Sequence, residues 1–343
     1  MRVFCAAVAM MFAFAPAQER PQEQGFSFRS NVDLINVTVT VTDGNGRFVA
    51  GLKREDFEVY EDGKLQQTSH FDAERVPVSL GLAIDSSGSM VGDKWEAAQA
   101  ALGRFLNDLL GSQDEVFLYR FSERPELVQP WTSDRRGTGQ KLAGVQPRGG
   151  TAMYDAVATA IPLAQRGTKR KKALLVLSDG NDTSSQIRAP ELTRLIQESE
   201  ILVYAIGIDA SGSGPAASSY RSGPAQKVNG PPVPAPFPGR KAPAPPPAPT
   251  PTRSAPSRGG GSGERVNVEA LRAMTDDSGG RTEMIYSAQD LDPATAGIAS
   301  ELSQQYFLGY SSPAPKDGKW HTIEVRVKKG SYLVRARRGF IAS

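Results

Sequence analysis

The sequence has 343 residues, of which 39% are hydrophobic and 22% charged, so it is long enough for two domains and typical of soluble globular proteins. Its 40 basic and 37 acidic residues nearly balance, which argues against nucleic acid or an acidic membrane surface as the main partner. The only cysteine is Cys5, so the rest of the chain offers neither a disulfide nor a thiolate.

The first seventeen residues have the pattern of a secretory signal peptide. Arg2 supplies a positive charge, residues 3–15 form an apolar stretch, and Ala15-Pro16-Ala17 is an A-x-A cleavage motif. We therefore expect residues 1–17 to be removed on export, which would place the mature protein in the periplasm, in the cell envelope or outside the cell. An uncleaved N-terminal anchor is the alternative. No later stretch approaches the ~18 apolar residues that a membrane span needs.

Residues 28–76 predict the N-terminal part of a β domain. Positions 32–41 alternate roughly between apolar and polar residues, and the strand 57–60 leads into the hairpin turn Glu61-Asp62-Gly63-Lys64. The cluster Asp43-Gly44-Asn45-Gly46 is interpreted as a turn, because it lacks the remaining ligands of an EF-hand loop. About four short strands are too few for a stable domain unless other strands complete the sheet.

Residues 77–305 alternate between buried strands and amphipathic helices. This alternation predicts a doubly wound, mostly parallel sheet. The continuous apolar runs predicted as strands are 80–85, 116–119, 173–177, 201–206 and 282–285. The predicted helices are 95–109, 153–164, 190–199 and one that places Val268, Leu271 and Met274 on one face. The basic run 169–172 directly precedes a strand and is interpreted as its solvated entrance.

A Pro-rich insert interrupts this α/β domain. Residues 211–264 contain 14 of the 25 prolines of the chain, and Gly, Ser and Ala make up most of the remainder. Such a composition cannot bury enough apolar surface to offset the entropy of ordering, so we expect disorder. A simple spacer is favoured over a segment that recruits a proline-reading partner.

The C-terminal residues 306–343 return to a β pattern. Three strands are predicted at 306–310, 321–327 and 332–336, and we expect them to pair with the strands of 28–76. The predicted fold class is therefore α/β, with a doubly wound, mostly parallel, Rossmann-like sheet inserted into a β-sandwich-like domain that is built from both chain ends.

Three polar segments follow predicted strands or precede a predicted helix. They are Asp85-Ser86-Ser87-Gly88-Ser89, Gly149-Gly150-Thr151 and Ser178-Asp179-Gly180. Loops that leave the carboxyl ends of parallel strands form one crevice, so Asp85, Ser87, Ser89, Thr151 and Asp179 can converge there. Carboxylate and hydroxyl oxygens suit a hard cation such as Mg²⁺, with Mn²⁺ or Ca²⁺ as alternatives. A cation held by two carboxylates and three hydroxyls keeps affinity for an incoming Asp or Glu carboxylate.

These residues resemble the von Willebrand factor type A domain, whose metal-ion-dependent adhesion site combines a DxSxS motif with a distant Thr and a distant Asp. The resemblance covers about 77–305 without the insert, and the flanking segments resemble the exported von Willebrand factor A-related proteins of Acidobacteria. It implies that Ser87, Ser89 and Thr151 ligate the metal directly or nearly so, and that Asp85 and Asp179 often act through water.

Binding of a partner protein is favoured over catalysis. The two histidines, His70 and His321, fall in the predicted β domain, and no GxSxG, HExxH, P-loop or strand-linked GxGxxG motif is present. Hydrolysis assisted by the metal would still need a general base, and the metal ligands themselves are the only candidates. The sequence thus predicts an exported, non-enzymatic, metal-dependent adhesion module. The alternative is a structural or assembly protein of the envelope in which the metal only stabilises the fold.

Overall fold

The computed structural model describes residues 33–209 and 266–342. The predicted signal peptide (1–17) and the whole predicted Pro-rich insert (211–264) therefore lie outside the described residues. The strands of the described part are β1 (Asp33–Thr42), β2 (Phe57–Glu61), β3 (Lys64–Gln66), β4 (Thr68–Asp72), β5 (Val78–Asp85), β6 (Glu115–Phe121), β7 (Pro125–Thr132), β8 (Lys171–Ser178), β9 (Leu202–Ile208), β10 (Thr282–Ile285), β11 (Tyr306–Ser312), β12 (Trp320–Val327), β13 (Leu333–Arg335) and β14 (Gly339–Ile341). Its helices are α1 (Asp93–Arg104), α2 (Arg135–Ala143), α3 (Met153–Gln165), α4 (Ala189–Glu198), α5 (Val268–Thr275) and α6 (Leu291–Gln304).

A six-stranded sheet carries the alternating part of the chain. Its order is β10-β9-β8-β5-β6-β7, and every pair is parallel except β6 with β7. Strands β5 and β9 are buried along their whole length, as their uninterrupted apolar sequences require. Helices α1, α2 and α6 pack on one face of the sheet, and α3, α4 and α5 pack on the other. The predicted doubly wound, mostly parallel sheet is confirmed.

Helix α1 shows how its sequence spacing produces this packing. Trp95, Ala98 and Leu102 recur every three or four residues and are all buried against the sheet. The sequence predicted one helix through residue 109. The α-helical part ends at Arg104, and the chain continues as a π-helical turn (Phe105–Leu109) with Phe105 fully buried.

Two antiparallel sheets are built from the chain ends. Their orders are β13-β1-β11-β4 and β14-β12-β2-β3, so each sheet combines strands from before and after the parallel sheet. The side chains of Val37, Val59, Leu308 and Tyr310 are fully buried in their shared core. The predicted pairing of the two chain ends into a sandwich is thus confirmed. The domain boundaries at 28–76, 77–305 and 306–343 remain a prediction.

The basic run at 169–172 differs from its prediction. Lys171 is the first residue of β8 and is only 1% exposed, so the interpretation of this run as a solvated entrance is wrong at that position. Its Nζ donates a hydrogen bond to the carbonyl oxygen of Leu302 at 2.7 Å, because the end of α6 covers the start of the strand. Arg170 stays exposed and forms an ion pair with Asp72 at 2.8 Å. No helix within the described ranges is long and apolar enough to cross a bilayer.

Candidate metal centre

The ends of two neighbouring strands meet at one edge of the parallel sheet. Asp85 is the last residue of β5, Ser178 is the last residue of β8, and Asp179 follows it directly. The two strands are parallel neighbours, so their carboxyl ends lie side by side. Ser178 Oγ donates a hydrogen bond to Asp85 Oδ2 at 2.6 Å. The sequence placed Ser178 in the third motif but did not predict this contact, which fixes the orientation of the Asp85 carboxylate.

The loop after β5 brings the first three predicted ligands together. The backbone N–H of Ser87 donates to Asp85 Oδ1 at 2.8 Å, which turns the chain back over the strand end. The hydroxyl oxygens of Ser87 and Ser89 lie 2.9 Å apart. Ser87 is buried and Ser89 is half-buried, so the pair stands between the protein interior and solvent.

The loop before α3 packs directly on the loop after β5. The N–H of Gly88 donates to the carbonyl of Gly149 at 2.9 Å, and the N–H of Arg148 donates to the carbonyl of Ser86 at 2.7 Å. Ser86 is itself anchored, because its N–H donates to the carbonyl of Phe121 at 2.7 Å. The two loops are therefore hydrogen-bonded to each other and to the end of β6 at the edge of the sheet.

Thr151 is held by the loop that follows Asp179. The carbonyl of Thr151 accepts hydrogen bonds from the N–H groups of Thr183 and Ser184 at 2.9 and 3.0 Å. A side chain at Gly150 would place its Cβ 2.5 Å from Ser184 Oγ, so a larger residue there would displace the Ser184 side chain. Thr151 and Asp179 thus join the site through the contacts of their loops, whereas Asp85, Ser87 and Ser89 are connected by direct hydrogen bonds.

The site concentrates negative charge in a buried place. Burial raises the pKa of Asp85 to about 6, hydrogen bonds from Ser178 and Ser87 oppose that rise, and the charge of Asp179 adds to it. Asp179 is 1% exposed; its Oδ1 accepts from the N–H of Asn181 at 3.2 Å, but its Oδ2 is buried without a hydrogen-bond partner. A buried carboxylate oxygen without a donor is costly. Because every predicted ligand atom is an oxygen, the arrangement suits a hard divalent cation.

Two acidic residues that the sequence analysis missed order the loop around Thr151. Asp182 Oδ2 accepts hydrogen bonds from the N–H of Tyr154 at 2.9 Å and from Ser185 Oγ at 2.6 Å. Asp155 Oδ1 accepts from the N–H of Gln186 at 3.0 Å. The polar run that follows Asp179 was the available signal, since such residues often hydrogen-bond to nearby backbone.

Residues 80–181 match the family model of the von Willebrand factor type A domain. This segment begins within β5 and ends just after Asp179, so it contains all five predicted ligands. The chain therefore contains a von Willebrand factor type A domain.

Individual relatives match over part of the chain. The bovine inter-alpha-trypsin inhibitor heavy chain H4 is 29% identical over 120 residues, which are 32% of this chain and 13% of that protein. An uncharacterized protein of Synechocystis is 29% identical over 138 residues, which are 39% of this chain and 32% of that protein. The aligned parts thus span less than a third of either relative.

Two solved structures are similar at low sequence identity. A von Willebrand factor type A protein from Catenulispora acidiphila has a TM-score of 0.47 and 13% identity, covering 92% of this chain and 74% of its own. Proximal thread matrix protein 1 from the mussel byssus, in a form with a zinc-occupied MIDAS motif, has a TM-score of 0.46 and 11% identity, covering 71% of this chain and 49% of its own.

Proposed function

We propose that the protein binds a divalent cation, Mg²⁺ in the first place with Mn²⁺ or Ca²⁺ as alternatives, through Asp85, Ser87, Ser89, Thr151 and Asp179. The observation that carries this proposal is Asp179 Oδ2, a buried carboxylate oxygen that lacks a donor at the edge of the sheet. A cation at this place would coordinate this oxygen. Its positive charge would also lower the pKa of Asp85, which burial raises.

The proposed ligands have different roles in such a site. Ser178 and the N–H of Ser87 hold the two oxygens of Asp85, so this carboxylate keeps one orientation. Ser87 and Ser89 contribute hydroxyl oxygens that are neutral, which leaves net positive charge on the ion. A bound cation would then supply one electrophilic position for an oxygen that comes from outside the protein.

We further propose that this outside oxygen belongs to an Asp or Glu carboxylate of a partner protein. A cavity of about 460 Å³ opens beside Gly149, and its wall supports an acidic partner. The wall contains three arginines against two glutamates, namely Arg120, Arg124, Arg148, Glu123 and Glu126. The excess of positive charge would steer an acidic segment towards the cation.

The proposed role is a metal-dependent adhesion module on an exported protein. The apolar stretch and cleavage motif of residues 1–17 support export to the periplasm, the envelope or the medium. We propose binding rather than catalysis, because both histidines, His70 on β4 and His321 on β12, lie in the antiparallel sheets rather than at the proposed metal site. A structural role, in which the cation stabilises only the fold, is the competing function.

Selection of peptides tests the function. Random peptides displayed on phage are selected on the mature protein in millimolar Mg²⁺, and we expect the recovered peptides to contain Asp or Glu and to be released by EDTA. Thr151→Ala should weaken their binding by about tenfold or more, because it removes one proposed ligand oxygen. The matched control is Thr159→Ala on α3, where the hydroxyl only bonds to the carbonyl of Asp155 at 2.7 Å. Capture that survives both EDTA and Thr151→Ala would favour the structural role.

A further inference from the structure

A second group of potential metal ligands lies in the antiparallel sandwich. Among the described residues, Glu61, Asp62 and His321 form the one set of three His, Cys, Asp or Glu side chains whose ligand atoms all lie within 4.8 Å of one another. Glu61 ends β2, Asp62 occupies the turn to β3, and His321 is the second residue of β12. None of the three belongs to the site at the edge of the parallel sheet.

A tight hairpin turn places Asp62 beside β12. Asp62 and Gly63 both have positive φ, 48° and 75°, as a two-residue type I′ turn requires. The N–H of Asp62 donates to the carbonyl of Thr322 at 3.0 Å. In return, Asp62 Oδ1 accepts from the N–H and the hydroxyl of Thr322 at 2.8 and 3.2 Å. One oxygen of Asp62 is therefore fixed, and the other faces His321.

The imidazole of His321 lies between two carboxylates. Its Nδ1 is 2.7 Å from Asp62 Oδ2, and its Nε2 is 3.4 Å from Asp317 Oδ1. The ring stacks on Phe340, with 5.5 Å between the ring centroids, so its plane is held. Burial alone would lower the pKa of His321, but hydrogen bonds to Asp62 and Asp317 raise it above its ordinary value. A proton is therefore the occupant against which any metal competes.

Glu61 is the observation that points to a cation. The residue is 3% exposed, and its Oε1 accepts a hydrogen bond from Ser312 Oγ at 3.0 Å. Its Oε2 is buried and has no hydrogen-bond partner. The hydroxyl of Tyr310 is buried close to this carboxylate, since burial, a hydrogen bond with Glu61 and the charge of Glu61 together raise its pKa. A buried carboxylate beside a second carboxylate and an imidazole thus has an oxygen left to coordinate.

We propose that Glu61, Asp62 and His321 bind one Zn²⁺ ion, with Asp317 as a positioning residue that holds the imidazole. One imidazole nitrogen with two carboxylate oxygens is a ligand set for zinc rather than for Mg²⁺ or Ca²⁺, which prefer oxygen alone. Asp317 stands where it can accept from Nε2–H while Nδ1 faces the metal, which is the usual support of a zinc-bound histidine. The side chain of Asp62 is 46% exposed, so the ion has a path of entry from solvent.

Small movements suffice for binding. Zinc–ligand bonds of about 2.0–2.2 Å place neighbouring ligand atoms roughly 3.0–3.5 Å apart. His321 Nδ1 and Asp62 Oδ2 would separate from 2.7 Å by less than about 1 Å, and the Glu61 oxygen would move inward within its 4.8 Å limit. The ion would tie the β2–β3 turn to β12, and through Ser312 to β11 in the opposite sheet.

The number of bound zinc ions tests the proposal on the full chain after removal of any histidine tag. After dialysis against micromolar Zn²⁺, metal analysis should show one equivalent fewer in His321→Gln and in Asp62→Asn than in the wild type. The matched control is His70→Gln, because His70 is the other histidine of the chain and should not affect the zinc count. Asp317→Asn should keep the ion but weaken its binding by about tenfold.

Imidazole NMR separates binding from a folding defect. With two histidines in the chain, the ring signals of His321 should shift on addition of Zn²⁺ while those of His70 stay in place. Asp62→Asn is the safer variant, since asparagine tolerates the positive φ of this turn and should leave the circular dichroism unchanged. The proposal is overturned if His321→Gln and Asp62→Asn bind as much zinc as the wild type, or if Zn²⁺ leaves the His321 signals of the wild type unmoved.

Discussion

Glu301 on α6 and Asp179 after β8 are both only 1% exposed, yet their surroundings differ. Glu301 accepts hydrogen bonds or ion pairs from five side chains, four of which lie outside α6 and its C-cap. The donors are Thr40 Oγ1 at 3.1 Å, Tyr204 OH at 3.0 Å, Arg281 Nε at 2.8 Å, Gln305 Nε2 at 3.4 Å and the guanidinium of Arg335. Asp179 instead has one carboxylate oxygen without a donor.

This difference separates a structural carboxylate from one that is ready for a ligand. The donors around Glu301 come from β1, β9, β13 and the residue before β10, so the carboxylate joins the parallel sheet to the antiparallel strands. With its charge already compensated, Glu301 has nothing to gain from a cation. Asp179 Oδ2 receives no hydrogen bond from the neighbouring backbone, and a bound cation would take the place of that missing donor.

The largest effect should follow from removing the compensated charge. Glu301→Gln leaves Arg281 and Arg335 without their buried partner, and we expect a loss of about 3–4 kcal/mol in the free energy of unfolding. Urea unfolding followed by circular dichroism measures this loss. Glu198→Gln is the control, because its ion pair with Arg194 is exposed and should contribute less than about 0.5 kcal/mol. Equal losses of stability for the two substitutions would show that the buried ion pairs of Glu301 contribute no more than an exposed pair.

Asp179→Asn should show the opposite behaviour. Without metal, we expect the variant to be as stable as the wild type or slightly more stable, because it removes an uncompensated buried charge. At a Mg²⁺ concentration of about 100 times Kd, the wild type should gain about 2.7 kcal/mol and the variant should not. Thermal unfolding with Mg²⁺ and with EDTA provides the comparison. A variant that keeps the full stabilisation by Mg²⁺ would exclude Asp179 from the site.

Substitution of Lys171 should have the smallest of the three effects on stability. Its buried charge is intermediate between those of Glu301 and Asp179, because nearby carboxylates offset only part of the cost of burial. Burial, together with the positive charge of Arg75, lowers the pKa of Lys171 to about 8 against the opposing effect of nearby carboxylates. Between pH 8 and 9.5 the unfolded chain keeps a proton that the folded protein has partly lost, so stability should rise with pH. Lys171→Met should flatten this rise by about 1.5 kcal/mol. Parallel pH profiles of the two proteins would show that Lys171 does not titrate in this window.

Part of the fold could be predicted because the sequence pattern of each of these elements is local. Strands β5, β8 and β9 are nearly continuous apolar runs, and α1 and α3 repeat apolar residues at helical spacing. Three elements of the parallel-sheet region escaped prediction. Strand β7 contains two prolines, which an edge strand tolerates, and α2 and α6 contain glycines and few large apolar residues. Their formation depends on packing partners that a single segment does not reveal.

The sequence by itself determined which polar residues follow the buried strands, because the apolar run that ends at Asp85 and the one that ends before Asp179 are local features. Only the tertiary structure decided which polar groups are compensated. Thr40 and Glu301 are 261 residues apart, and His321 and Asp62 are 259 apart, yet both pairs are in contact. The cost of a buried charge depends on the donors around it, and chain folding alone brings those donors together.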